Sequence, residues 1–175
     1  MNRFGLKVLS VVVILPLLAG CAVVDRIAGR KAYNIPSPSM EPTIKEGSRV
    51  MAVLTMGEYV PKTGDVIIFE VPKSWGKAGT RISRVIGVPG AIVKCCDNEG
   101  RMSLNKQPLE EPYIMDSPAS YSTFGPVVVP QGRLWVQGDN RHISLDSRSY
   151  LGDGVDGSTI PVSSVVGVVD LARTE

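Results

Sequence analysis

The stretch RISRVIGVPGAIVKC, residues 81–95, decides the fold. Two runs rich in β-branched residues, RISRVIGV (81–88) and AIVKC (91–95), flank the turn VPGA (88–91). Each run is too short for a multi-turn helix and has the composition of a strand, while Pro-Gly supplies turn chemistry. The same unit recurs outward along the chain. RVMAVL (49–54), DVIIFE (65–70), RMSL (101–104), RLWVQ (133–137) and VVGVVDL (165–171) all read as strands. The turns KEG, KTGD, DNEG, PQG and GDGVDG separate them. No amphipathic helix of three turns is visible after residue 35. The expected fold is all-β, built of antiparallel sheet over residues 34–175. The segment 106–126 is proline-rich and lacks periodicity, so it is expected to be a long surface excursion.

A chain of 175 residues is enough for one domain with a core of its own. Its 19 basic and 17 acidic residues leave a net charge of +2, and the basic residues are scattered rather than gathered into a stripe. Nucleic-acid binding is therefore set aside.

The first 24 residues depart from this composition. Arg3 and Lys7 precede the apolar run VLSVVVILPLLAG, and Cys21 follows directly. A basic start, a short apolar stretch and small residues before the cysteine make an export signal. LAGC (18–21) resembles the lipobox of bacterial lipoproteins, in which the cysteine is lipidated. Counting the apolar run through residue 24 brings it near the minimum of about 17 residues for an uncleaved spanning helix. The lipoprotein signal is preferred to the anchor, and both place the rest of the chain at the extracytoplasmic face of a bacterial cytoplasmic membrane. Residues 25–33 (DRIAGRKAY) read as a polar spacer.

Cys95 and Cys96 are adjacent, and a bridge between neighbours closes no useful loop, so two free, half-buried thiols are expected. With one histidine and no spaced cysteine pair, neither a metal site nor a cofactor is expected. Oligomeric state is not legible.

In NIPSPSMEPTI (34–44), Pro36, Pro38 and Pro42 hold Ser37 and Ser39 in a stiff, non-helical segment. Rigidity suits a nucleophile, whose geometry is then set during folding. Taken together, NIPSPSMEPTI, SRVIGVPG (83–90) and LWVQGDNRHISLDSR (134–148) resemble, in order and spacing, the boxes of the type I signal peptidases. Residues 93–113 resemble actinobacterial members in particular. The resemblance implies a coiled antiparallel β fold and a membrane-tethered serine endopeptidase that removes signal peptides from exported polypeptides. It implies Ser39 as nucleophile, with its N–H and the Ser37 hydroxyl forming the oxyanion hole. It also implies Ser144 as the hydroxyl that orients the base, and Met40 as the residue packed beneath the nucleophile. Asp146 and Arg148 match a supporting ion pair, and Gly138, Asp139, Asn140 and Arg141 a scaffold turn.

One position breaks the pattern. Bacterial members carry a lysine where this chain has Ser83, followed by Arg84. A desolvated neutral lysine accepts the nucleophile's proton, whereas a serine hydroxyl is no base near neutral pH. Arg84 stays protonated and cannot substitute. His142, the only histidine, is the one candidate surrogate base. Two functions follow: a signal-peptidase-like endopeptidase with impaired catalysis, or a non-catalytic relative that binds exported polypeptides.

Overall fold

The computed structural model of the protein describes residues 29–174. The export segment 1–24 with Cys21, and residues 25–28 of the spacer, lie outside the described residues. Within them the chain forms β1 (Arg30–Asn34), β2 (Arg49–Leu54), β3 (Val66–Glu70), β4 (Thr80–Gly87), β5 (Ile92–Cys95) and β6 (Met102–Leu104). Then come β7 (Gln107–Pro108), β8 (Phe124–Val128), β9 (Arg133–Gln137), β10 (Ile160–Pro161) and β11 (Val165–Thr174). Two antiparallel sheets result, in the orders β1-β2-β11-β3-β4-β9-β10 and β7-β6-β5-β8. The turn between β4 and β5 carries the chain from one sheet to the other. Gly90 makes that turn possible, because its φ of 83° lies in the left-handed region.

The apolar run of β3 shows why the large sheet has a core on each face. Val66 and Ile68 pack with Ile35, Met40, Ile44 and Val50 on one side. Ile67 and Phe69 pack with Trp75, Val85, Leu134 and Val136 on the other. A strand buried on both faces reads as a continuous hydrophobic run rather than an alternating one. A third cluster, including Ile86, Val93, Met102 and Trp135, joins the small sheet to the large one.

The strands expected from the sequence are present, with shifts of a residue or so at most ends. The expected antiparallel β architecture holds: the described residues are mostly β, with one five-residue helix, α1 (Gly154–Ser158), and several 3₁₀ turns beside the sheets. Other expectations need correcting. Residues 30–33, read as spacer, belong to β1 and pair with β2 in the register Ala32↔Met51 and Tyr33↔Val50. Their charges hid the strand, whose order comes from that pairing and from Tyr33 against the core. Segment 106–126 is largely the expected surface excursion, mostly exposed and irregular between β7 and the start of β8, but it is pinned to the body at two points. Ala119 is buried, and the Glu111 side chain is only 3% exposed. Cys95 and Cys96 are joined as a disulfide, not free. The loop-closure argument for free thiols concerns how much a bridge stabilises; two neighbouring sulfurs can bond regardless. Trp75 is a packing residue, 3% exposed and stacked on Tyr150. No helix among the described residues is long and apolar enough to cross a membrane.

Ile67 is wholly buried at the centre of the large sheet. Ile67→Ala should cost about 2–5 kcal/mol, read as a lower urea midpoint with an unchanged slope.

Candidate active site

The serine segment is fixed at both ends. Ile35 is buried and exchanges backbone hydrogen bonds with the next turn, donating to Ser48 O at 2.9 Å and accepting from Gly47 N at 2.8 Å. Ser37 is extended, and a 3₁₀ turn over Pro38–Met40 follows with proline at its start, where the missing N–H costs nothing. Met40 and Ile44 are buried beneath this turn, so Ser39 is pushed to its outer side, half-exposed. Asn140 holds the turn from the other side: its N–H donates to Ser39 O at 3.0 Å and its Nδ2 to Pro38 O at 3.3 Å. Ser37 Oγ and Ser39 Oγ lie 3.1 Å apart. Gly138 closes the approach. A methyl group there would overlap Ser144 Oγ and the carbonyl oxygen of Ser39.

These residues border a cleft of about 320 Å³ that runs between the Tyr33–Ser39 segment, Thr80–Ile82 of β4 and Ile143–Leu145. Ser37, Ser39 and Ser144 all open onto it. Ser83 does not line it. Its side chain is buried, and its hydroxyl donates to Ile82 O at 2.7 Å. Among the described residues, the only side-chain hydrogen-bond partner of Ser39 Oγ is Ser37 Oγ, and no lysine or histidine nitrogen bonds to it. His142 is directed elsewhere. Its Nε2–H donates to Pro118 O at 2.9 Å, and its ring stacks on Tyr121 at 3.9 Å. A carbonyl only accepts, so that nitrogen carries the proton and is not a free base.

The supporting residues form three arginine–carboxylate pairs around the 138–148 loop. Arg84 grips Asp139 with two nitrogens, Nε to Oδ1 at 2.8 Å and Nη2 to Oδ2, and donates Nη1 to Gly64 O at 2.9 Å. Asp146 is fully buried; it accepts from Gly138 N at 3.1 Å and from Arg148 Nε and Nη2 at 2.9 and 2.7 Å. Arg141 reaches Glu111 with Nη1 at 3.0 Å and Nη2 at 2.5 Å. Burial alone would lower the affinity of Arg141 for its proton. The Glu111 hydrogen bonds and charge more than offset this, so its pKa stands above the usual value. Burial, reinforced by the Glu111 charge, likewise raises the Tyr113 phenol. Glu111, Thr43 and Tyr113 were missed in the sequence. Thr43 Oγ1 donates to Asp139 Oδ2 at 2.5 Å, and the Tyr113 ring lies 4.0 Å from the Arg84 guanidinium. Only the spacing of buried arginines that need acceptors could have pointed to them. Among the described residues no cluster of histidine, cysteine and carboxylate side chains could hold a metal.

The profile of the family described as "Signal peptidase, peptidase S26" matches residues 6–173. The chain belongs to the peptidase S26 family. Within it, a "Probable signal peptidase I" of Mycobacterium leprae is 36% identical over 78% of this chain and 66% of its own length. A "Signal peptidase I" of Mycobacterium tuberculosis is 36% identical over 78% of this chain and 62% of its own. The chain thus spans somewhat less than two thirds of the length of these mycobacterial S26 relatives. A "Signal peptidase I U" of Bacillus subtilis is 30% identical over 91% of this chain and 88% of its own.

The Arg84–Asp139 pair is buried on both sides, with side chains 7% and 0% exposed. Asp139→Asn leaves the guanidinium charged without its carboxylate. It should lower stability by about 3–5 kcal/mol, measured by chemical denaturation.

Proposed function

We propose that this protein is a signal-peptidase-I-type serine endopeptidase of the extracytoplasmic membrane face, which cleaves exported polypeptides through Ser39 slowly, without a lysine base. One observation carries the reading. Ser39 is held at the edge of a cleft with a second hydroxyl 3.1 Å from its own, and among the described residues no basic nitrogen hydrogen-bonds to it.

The cleft has the form an extended polypeptide requires. β9 pairs with β4 only from Arg84 onward, so among the described residues the Thr80–Ser83 edge has no strand neighbour on that side. A peptide laid along this edge gains main-chain hydrogen bonds and passes the serine turn. Ile143 and Leu145, 54% and 62% exposed, give the opposite lip an apolar character suited to apolar segments of an export signal. Near the serine turn, the Ser39 N–H sits in the first positions of a 3₁₀ turn, where it has no partner within the turn, and Ser37 adds a hydroxyl donor. Two such donors stabilise the oxyanion that forms when Ser39 Oγ attacks a carbonyl carbon. What is missing is a strong acceptor for the serine proton. Losing a positioned base typically costs about 10²–10⁴ in rate. Cleavage by Ser39 is therefore slow rather than forbidden. The second reading, a non-catalytic polypeptide binder, is favoured by one observation: the Ser83 hydroxyl is turned to Ile82 O inside the sheet rather than toward Ser39.

The full chain in detergent should be incubated with a signal-peptide substrate, with products followed by mass spectrometry. The parent should cut slowly, Ser39→Ala should not cut, and Ser83→Lys should raise kcat/KM by about 10²–10⁴. A parent no faster than Ser39→Ala, beside an active Ser83→Lys, would establish the non-catalytic reading instead. His142→Ala should leave the parent rate unchanged.

A further inference from the structure

We propose that Arg81 makes the cleft selective for polypeptides with an aspartate or glutamate within three residues of the bond presented to Ser39. The proposal rests on the reading of the cleft as a polypeptide site. Arg81 is the only charged residue among the described residues that line the cleft. Its guanidinium is held in place by neutral oxygens: Nη2 donates to Trp75 O at 3.2 Å, and Nη1 to Tyr150 Oη at 3.3 Å and Leu145 O at 3.4 Å. It also lies 5.8 Å from the centre of the Trp75 ring, which is itself stacked on Tyr150. Among the described residues no carboxylate comes within 4.0 Å of it.

This is an unusual position for a cation. The other arginines near the site, Arg84, Arg141 and Arg148, each have a carboxylate of their own. Arg81 is half-buried and fixed in direction, yet its charge is unneutralised. A preorganised guanidinium loses little freedom when a carboxylate arrives, and it can offer a two-pronged contact. The cleft sets the reach. Arg81 and Ser39 line the same cleft of about 320 Å³, and three extended residues span about 10 Å. A peptide running beside the Thr80–Ser83 edge would bring a side chain past Arg81 two or three residues from the bond facing the serine turn.

The test uses the full chain in detergent, carrying Ser39→Ala so that peptides stay intact. Fluorescent signal-peptide segments would place Glu, Gln or Lys in turn at each of three positions on either side of the small residue preceding the cut. Binding would be read by anisotropy. At one position or an adjacent pair, Glu should bind about tenfold tighter than Gln, the scale of one charge-assisted hydrogen bond. Lys should bind more weakly than Gln, and the Glu preference should shrink as salt is raised. Adding Arg81→Gln should abolish the preference, and Arg81→Lys should keep part of it. Equal binding of Glu and Gln at every position would overturn the proposal while leaving the cleft as a polypeptide site. So would a Glu preference that survives in a folded Arg81→Gln protein. Failure of every peptide to bind would overturn the reading of the cleft along with it. If Arg81→Gln does not fold, the peptide series on the unaltered Arg81, its salt dependence and Arg81→Lys still decide.

Discussion

The buried pairing of Arg84 with Asp139 is the joint on which the rest of this structure turns. It ties β4 to the loop that begins at Gly138, and through Thr43 it also reaches the chain just beyond the serine turn. Two charges removed from water are costly unless almost every donor and acceptor is matched. Here Arg84 is met by a carboxylate, a backbone carbonyl, a hydroxyl and an aromatic face. Arg148–Asp146 and Arg141–Glu111 repeat the device a few residues on. Apolar packing tolerates small slides, whereas a two-pronged ion pair fixes both distance and direction. The turn bearing Ser39 is positioned by the loop so fixed, since Asn140 binds the carbonyls of both Pro38 and Ser39.

Around that frame the hydroxyls divide by environment. Ser37, Ser39 and Ser144 face the cleft, where a ligand could use them. Ser83 lies behind, inside the sheet, with its proton given to a neighbouring carbonyl. The chemistry available at the cleft is therefore that of donors and a weak nucleophile. Stabilising negative charge on a bound carbonyl needs only the donors, while moving a proton away from Ser39 needs a base that the described residues do not supply.

Most of the sheet was legible because burial and turn chemistry leave local traces. The run VIIF declared a strand and VPG declared the turn after β4, whereas the cover on both faces of β3 and the passage from one sheet to the other emerge only in the structure. The elements that escaped owe their order to partners far away. β1 carries charges and is held chiefly by its pairing with β2. Glu111 looks like an ordinary surface acid until Arg141, 30 residues later, folds against it. The serine segment was readable from its prolines, but the direction of His142 was not, because Pro118 and Tyr121 set it. Arg81 carried no sequence signal at all: its meaning comes from being the charged wall of a cleft whose other walls are distant in the chain.

The hydroxyl of Ser83 has a last implication. A small alcohol buried inside a sheet leaves an orphaned dipole unless it finds an acceptor. Here the alcohol satisfies itself on its own strand, and the residue stays 2% exposed within a continuous ladder. A hydroxyl so satisfied is no burden to the sheet, so melting behaviour and protease resistance report on the ladder around residue 83 and carry no information about chemistry at the cleft.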